Sequence, residues 1–307
     1  MPSVNPSFAA RRPGLFGVLI VVAAVILIFG IMAAFGLDNG SDGGRAFWKK
    51  GPRLGLVRIE GPIIDAESAV EFIRQLRRDT SVKGVILRVN SPGGAFGPSQ
   101  ELYMAVKRLA EVKPVVASLA AVAASGGYYA ACPATKILSN PGTITGSIGV
   151  MSQIANVQDL LQKVGVSFES LTTGKLKDAG SPFKSLSSEQ RAYLEALLAD
   201  LNRQFSGAVA AERKLAPAAV AAIADGRAMT GQRAKELGLV DALGGQEEAV
   251  ELLKSMTHLT GEVPMTKGPK KKNSLLSRLT ASLGFEPQGM SRLAAAVCSI
   301  AALYNGQ

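Results

Sequence analysis

Pro114-Val115-Val116-Ala117-Ser118-Leu119, followed by Ala123-Ala124-Ser125-Gly126-Gly127-Tyr128-Tyr129, is the stretch from which the fold of this chain can be read. The first piece is an apolar run of strand length. The second is a run of small residues that begins a buried helix, so Ser125 falls at a strand-to-helix turn. At such a turn the first helical N–H groups, here those of Gly126 and Gly127, have no earlier carbonyl to bond. A hydroxyl beside unpaired donors suits a nucleophile whose substrate develops an oxyanion. The same position suits a serine that only caps the helix, and the local pattern leaves both roles open.

Working upstream, Gly84-Val85-Ile86-Leu87-Arg88-Val89 is a strongly apolar strand that ends in a sharp loop, Asn90-Ser91-Pro92-Gly93-Gly94. Leu102, Ala105, Val106 and Leu109 carry helical spacing between this loop and the Pro114 strand. Before it, Leu54-Gly55-Leu56-Val57-Arg58-Ile59 reads as a strand, and Ala69, Val70, Phe72, Ile73 and Leu76 as a helix. Strand, helix, strand, helix in this order implies an α/β fold with parallel strands and helical crossovers. Sites in such sheets form at the carboxyl ends of strands, where both glycine-rich turns fall.

Downstream, Thr135-Lys136-Ile137-Leu138 and the turn-rich residues 142–150 are expected as strands, and Ser167-Phe168-Glu169-Ser170-Leu171 as a further one. Residues 173–182 form a loop. Ser187 and Gln190 have capping-box spacing, after which Leu194, Leu197, Leu198, Leu201 and Phe205 line one face of a long helix. A short helix is expected from Pro217 to Ala224. Thr230 caps another that stops at Gly238, and a last helix runs from Gln246 to about Met256. The folded domain is therefore assigned to residues 53–260. Residues 261–307 form a tail with a basic cluster at Lys267, Lys270, Lys271 and Lys272 and an apolar stretch too short to span a bilayer. That cluster is either a solvated surface or a contact for anionic lipid heads.

At the other end, residues 15–37 run without a charge, about 23 residues or roughly 34 Å as a helix, longer than the core of a cleaved signal peptide. Arg11 and Arg12 precede this segment, which favours a cytoplasmic N-terminus of residues 1–14 and a translocated remainder. The segment is expected to be a transmembrane signal anchor, with residues 38–52 as a linker rich in glycine and polar residues.

The 307 residues are 47 % hydrophobic, enough for a sizeable core, and carry a net charge of +10, much of it in the tails. No basic pattern interleaved with aromatics points to nucleic acid. The two cysteines, Cys132 and Cys298, make neither a disulfide framework nor a metal site, and Cys132 is expected as a small buried residue. No metal or nucleotide cofactor is expected.

A serine nucleophile needs a base. Candidates are Lys175, Lys177, Lys184, Asp178 and the lone histidine, His258, which sits beyond the domain's last helix. A Ser–His–Asp triad has to recruit His258, whereas a Ser–Lys pair is a convergent alternative that requires a neutral, desolvated amine.

Five segments, taken together and in order, resemble the signal peptide peptidase A family. They are Asn90-Ser91-Pro92-Gly93-Gly94; Ala124-Ser125-Gly126-Gly127-Tyr128-Tyr129; Thr145-Gly146-Ser147-Ile148-Gly149-Val150; Lys177-Asp178 with Ser181-Pro182; and Asp225-Gly226-Arg227 with Thr230-Gly231-Gln232, Ala234 and Gly238-Leu239-Val240-Asp241. The resemblance covers roughly residues 53–255 and one copy of the catalytic unit, as in the short form of that family. It implies a membrane-anchored serine endopeptidase of bacteria, with its domain on the extracytoplasmic side of the inner membrane. It implies Ser125 as nucleophile, Lys177 as general base and Ser147 as the residue orienting the lysine. Gly126 and Gly94, or Gly93 in its place, would be the oxyanion donors. The implied fold is a spiral of β-β-α units of the caseinolytic protease and crotonase group. The implied partners are remnant signal peptides, the bilayer and further copies of the chain, expected as an octamer. The Ala234 to Asp241 segment is also similar to one in crotonase-type acyl-CoA enzymes, the main alternative, alongside a related membrane protease with another protein substrate.

Overall fold

A computed structural model describes residues 51–269. The expected anchor, the linker up to residue 50, Cys298 and the lysines at 270–272 lie outside these residues. Among the described residues no helix is long and apolar enough to cross a membrane.

The chain alternates strand and helix through its first half: β1 (Arg53–Glu60), α1 (Glu67–Arg78), β2 (Val82–Ser91), α2 (Phe96–Ala110), β3 (Val115–Ala124), α3 (Gly126–Ala131) and β4 (Lys136–Ser139). Then follow β5 (Ile144–Gly146), α4 (Gln158–Lys163), α5 (Ser188–Arg213), α6 (Pro217–Ala221), β6 (Ala228–Thr230), α7 (Gly231–Glu236), β7 (Ala242–Leu243), α8 (Gln246–Thr257) and β8 (Met265–Gly268). The sheet runs β6-β5-β3-β2-β1-β8, with β4 joining β3 to β7. All described pairings are parallel except β5 with β6.

Both faces of the sheet are covered, which is why its strands read as continuous apolar runs rather than alternating ones. On one face Val57, Val85, Leu87, Val89, Val115 and Ala117 pack with Ile73 of α1, Leu102 and Val106 of α2, Tyr128 and Tyr129 of α3 and Phe205 of α5. On the other, Leu54, Leu56, Ile86 and Val116 meet Ala249 and Leu253 of α8. Cys132 is fully buried, as expected, and burial pushes its thiol up.

Strand β3 serves two neighbours in turn. Its first half, Val116 to Leu119, pairs with β4. Its second half, Val122 to Ala124, pairs with β5. The sheet therefore divides at β3, and the continuation of the strand past Leu119 carries the chain to Ser125.

Two expectations need correction. Residues 167–171 form no strand: Phe168 instead stacks on Phe183 with ring centroids 4.1 Å apart, and Leu171 is 92 % exposed. Phe168 and Leu171 are three residues apart, a spacing that would put them on opposite faces of a strand. Conversely, Met265–Gly268, in the stretch read as tail, adds an edge strand beside β1. Short edge strands carry little periodicity and are set by the partner they find.

Candidate active site

Ser125 sits between the end of β3 and the start of α3 with φ 51° and ψ −125°, a conformation that side chains rarely adopt. Holding it there costs on the order of 1–3 kcal/mol, which the surroundings must offset. Its N–H donates to the Gly146 carbonyl at 2.9 Å, and its own carbonyl accepts the Tyr129 N–H at 2.9 Å. The side chain makes no capping hydrogen bond. A serine kept for its cap would place Oγ on the N–H of the second or third helical residue. Ser125 does not, so the capping role left open by the sequence falls away.

The glycine loop after β2 meets this turn. Ile63 donates its N–H to the Gly93 carbonyl at 2.9 Å, and its carbonyl accepts the Ala95 N–H at 2.8 Å. In such a parallel bridge the middle residue, Gly94, turns its own N–H away from Ile63. A side chain at Gly94 would lie 2.1 Å from the Ile63 carbonyl oxygen, so only glycine allows this approach. The Gly93 N–H is taken by Ser91 Oγ at 3.1 Å. Those of Gly94 and Gly126 donate to nothing among the described residues. Both residues line the same cleft as Ser125. The choice between Gly93 and Gly94 that the sequence left open thus narrows to Gly94 on geometry.

That cleft, about 360 Å³, is walled by Phe96, Tyr129, residues 149–152 and the face of α5 carrying Leu194, Leu197, Leu198, Leu201 and Phe205. The leucine stripe read from the sequence therefore faces the candidate nucleophile. Only Phe205 belongs to the buried core, while Leu197 is 43 % exposed. The cleft suits apolar side chains next to a hydroxyl and two free N–H donors.

Ser147 follows the Gly146 carbonyl that receives the Ser125 N–H. It too has a positive φ, 50°, and its N–H donates to the Arg227 carbonyl at 2.9 Å. Behind it the Asp225 carboxylate accepts from the Arg227 side chain at 2.5–2.9 Å and from its backbone N–H at 3.1 Å. The guanidinium holds the Asp225 carboxyl down at about 2. The Asp225-Gly226-Arg227 segment is thus a strap along Ser147, with the Gly226 N–H donating to the Ile148 carbonyl at 2.9 Å. The Ala234 to Asp241 segment is also structural: the Tyr128 hydroxyl donates to the Leu239 carbonyl at 2.8 Å, and Asp241 accepts the Ile137 N–H at 2.8 Å while pairing with Arg213 at 2.9 Å.

The candidate bases are not gathered at Ser125. His258 caps the end of α8, where the preceding Thr257 lies against Gly84 near the amino end of β2. Ser91, at the carboxyl end of β2, pairs with Ala123 beside Ser125. Seven residues of strand, about 23 Å, separate Gly84 from Ser91, so a triad through His258 is out of reach. Lys184 is engaged with Asp178 at 2.6 Å, and this ammonium holds the Asp178 carboxyl below its usual range.

Lys177 and Lys175 are exposed. They line a separate hollow with Thr173, Gly174, Leu176, Glu189 and Tyr193. Neither lysine makes an ion pair or side-chain hydrogen bond among the described residues. The hollow uses the α5 face of Glu189 and Tyr193, and the serine cleft the face of Leu194, Leu198 and Leu201. Tyr193 of the hollow and Leu197 of the cleft are one helical turn apart, so the hollow and the cleft border each other along α5. Neither lysine is among the residues that line the cleft holding Ser125. Sequence reasoning quoted Ser91 in the Asn90–Gly94 loop without giving it a role and missed Ser99, whose Oγ lies 2.2 Å from where a Gly126 side chain would begin. Ser99 carries no distinguishing pattern in the sequence. No group of three or more His, Cys, Asp or Glu side chains among the described residues is arranged to hold a metal ion.

Comparison with known proteins agrees with this arrangement. The family model described as peptidase family S49 matches residues 107–260. A putative protease of Synechocystis sp. is 43 % identical over 205 residues, 66 % of this chain and 74 % of its own length. A putative protease of Methanocaldococcus jannaschii is 35 % identical over 221 residues, 72 % of this chain and 71 % of its own. A putative signal peptide peptidase SppA of Enterococcus faecium is 38 % identical over 192 residues, 61 % of this chain and 55 % of its own. The matched residues run from α2 through the Ser125 turn to the end of α8, so the likeness covers the site itself, and the chain belongs to peptidase family S49, as a protease of the signal peptide peptidase A type.

Proposed function

We propose that this protease is a serine endopeptidase working through Ser125 and Lys177. The observation that carries the reading is the uncommitted Ser125 hydroxyl, held at positive φ in an apolar cleft beside the free N–H groups of Gly94 and Gly126. In the proposed reaction the neutral amine of Lys177 takes the Ser125 proton as Oγ bonds to a peptide carbonyl carbon. The Gly94 and Gly126 N–H groups receive the oxyanion. The C–N bond then breaks, the lysine ammonium returns its proton to the leaving amine, and water hydrolyses the acyl-enzyme by the same route reversed. Ser147, on its strap, orients the lysine. No metal or nucleotide takes part.

A lysine serves as base only when desolvated. Lys177 is exposed in the single chain, so a second copy must bury it. Support comes from the segment that carries it: Leu160, Val164, Val166, Phe168 and Leu171 are all well exposed, and exposed Tyr193 lines the same hollow as Lys177. So much apolar surface on one segment marks an interface. We accordingly propose a closed homo-oligomer, an octamer by family resemblance, in which the lysine of one copy serves the serine of its neighbour. The division of the sheet at β3 favours the proposed spiral of β-β-α units. The leucine-lined cleft favours apolar, extended peptides, and we propose remnant signal peptides as substrates. Residues 15–37 would anchor the assembly in the bacterial inner membrane with the sites on the extracytoplasmic side, raising the effective concentration near such peptides.

The test is the full chain in detergent with a synthetic signal peptide, alone and as mixtures of inactive variants. Ser125→Ala and Lys177→Ala should each be inactive, and co-assembling the two should restore part of the activity. Absence of cleavage by the unmodified chain overturns the activity. Failure of the mixture to recover overturns the shared site.

A further inference from the structure

From residue 151 to residue 204 one side chain is buried, and it is polar: Gln190, only 4 % exposed. Its backbone N–H is spent on the helix cap, to Ser187 Oγ at 3.1 Å, and its Oε1 accepts the Ser187 N–H at 3.3 Å. That leaves the amide Nε2. It donates to the Lys175 carbonyl at 3.3 Å and to Asp178 Oδ1 at 3.1 Å, while Asp178 Oδ2 holds Lys184 at 2.6 Å. These two contacts bracket Lys177, two residues before it and one after.

The capping explanation is complete without either of them. A capping box needs the Gln190 backbone N–H and Oε1, not Nε2. The two extra donations come from a buried amide in a segment with no other buried side chain, and both fall on the turn that carries Lys175 and Lys177. They also settle where the Asp178 charge goes. Asp178 is neutralised by Lys184 and held by Gln190, so the carboxylate next to Lys177 in sequence is kept from pairing with it. A base that must lose its proton gains from having that carboxylate occupied elsewhere.

We propose that Gln190, with Asp178 and Lys184, is a positioning latch that clips the Lys177 turn to the first turn of α5 and keeps the Asp178 carboxylate off the lysine amine. The inference rests on Lys177 being the base. Because α5 also carries Leu194, Leu198 and Leu201 of the same copy's serine cleft, the latch ties the lysine offered to a neighbour to the helix that lines this copy's own cleft. The titratable and charged groups around the turn are Lys175, Asp178, Lys184, Glu189 and Tyr193. Of these only Asp178 and Lys184 are directly engaged in the latch.

The experiment compares Gln190→Ala, Gln190→Glu, Lys184→Ala and Lys177→Ala in the full chain on the same peptide. Assembly size is checked and kcat and KM are followed against pH. Gln190→Ala keeps the Ser187 cap on its backbone N–H and should lower kcat about 10- to 100-fold with KM within about twofold, as expected for a misplaced reacting group. Lys184→Ala frees the Asp178 carboxylate to pair with the amine, and Gln190→Glu adds a second carboxylate. Both should move the rise of kcat to higher pH. Unchanged kcat and pH profile in all three, with Lys177→Ala inactive, overturns the latch alone. Activity retained in Lys177→Ala overturns the base assignment beneath it. If Gln190→Ala fails to assemble, Lys184→Ala, which leaves the cap whole, decides by the same pH shift.

Discussion

The serine half and the lysine half of this molecule are built to different standards. Around Ser125 the backbone is held on both sides, by Gly146 and Tyr129, and the neighbouring glycines are packed against Ile63 and Ser99. Around Lys177 the chain turns through residues 173–180 with one buried anchor, Gln190, and large apolar side chains face outward. A site whose strain is offset within one chain is ready before any partner arrives. A site left exposed would, on the proposed reading, acquire its geometry by association. The proposed reaction joins one of each.

The hardest test of this contrast is Ser125→Ala, which should reduce peptide hydrolysis by about 10⁴-fold or more while the assembled mass stays the same. Residual turnover near that of the unmodified chain would remove the serine from the chemistry. Lys177→Ala should be nearly as severe and Lys175→Ala mild. The reverse order would move the base by two residues. Next come two glycines, one from each region. Gly94→Ala puts a methyl group 2.1 Å from a carbonyl oxygen and should cost at least about 3 kcal/mol, seen as a clear fall in Tm. Gly174→Ala meets nothing within 4 Å and should change stability by less than about 0.5 kcal/mol. Similar losses at both would contradict the difference in packing.

A smaller effect is expected at the cleft. Leu198→Ala should raise KM for apolar peptides about 10-fold and leave kcat nearly unchanged, since it removes apolar contact and no reacting group. The smallest is the strap. Asp225 is held down at about 2 by Arg227, so its contribution is complete above the usual carboxylate value of about 3.9 and is lost as pH falls through about 2. Across the neutral and alkaline range it should therefore add no pH dependence. Asp225→Asn should lower activity only a few-fold, with a pH profile parallel to that of the unmodified chain. A profile that bends between neutral and alkaline pH in the unmodified chain alone would assign Asp225 a further part.

Where the sequence was legible, the cause was local. The strand-to-helix turn at Ser125 shows because apolar β residues give way to small ones. The Ser187–Gln190 capping box shows because its two partners are three residues apart, and the last helix because its apolar spacing is regular. The misread strand at residues 167–171 has its two apolar residues, Phe168 and Leu171, three apart, which does not keep both on one face of a strand. Met265–Gly268 had a partner, β1, but too few residues to announce it. Gln190 was legible as a cap and illegible as a latch, because Lys175 and Asp178 lie 15 and 12 residues away.

By itself the amino-acid sequence determined the α/β class, the nucleophile candidate and the order of the glycine turns, since each rests on residues adjacent in the chain. Tertiary structure decided that Ser125 is not a cap, that Gly94 rather than Gly93 keeps a free N–H, that His258 lies at the wrong end of the sheet, and that the α5 leucines face the serine. Each of those depends on which strand lies beside which and how far a helix turns between two residues. Neither composition nor spacing encodes such distances, which exist only once the sheet has closed.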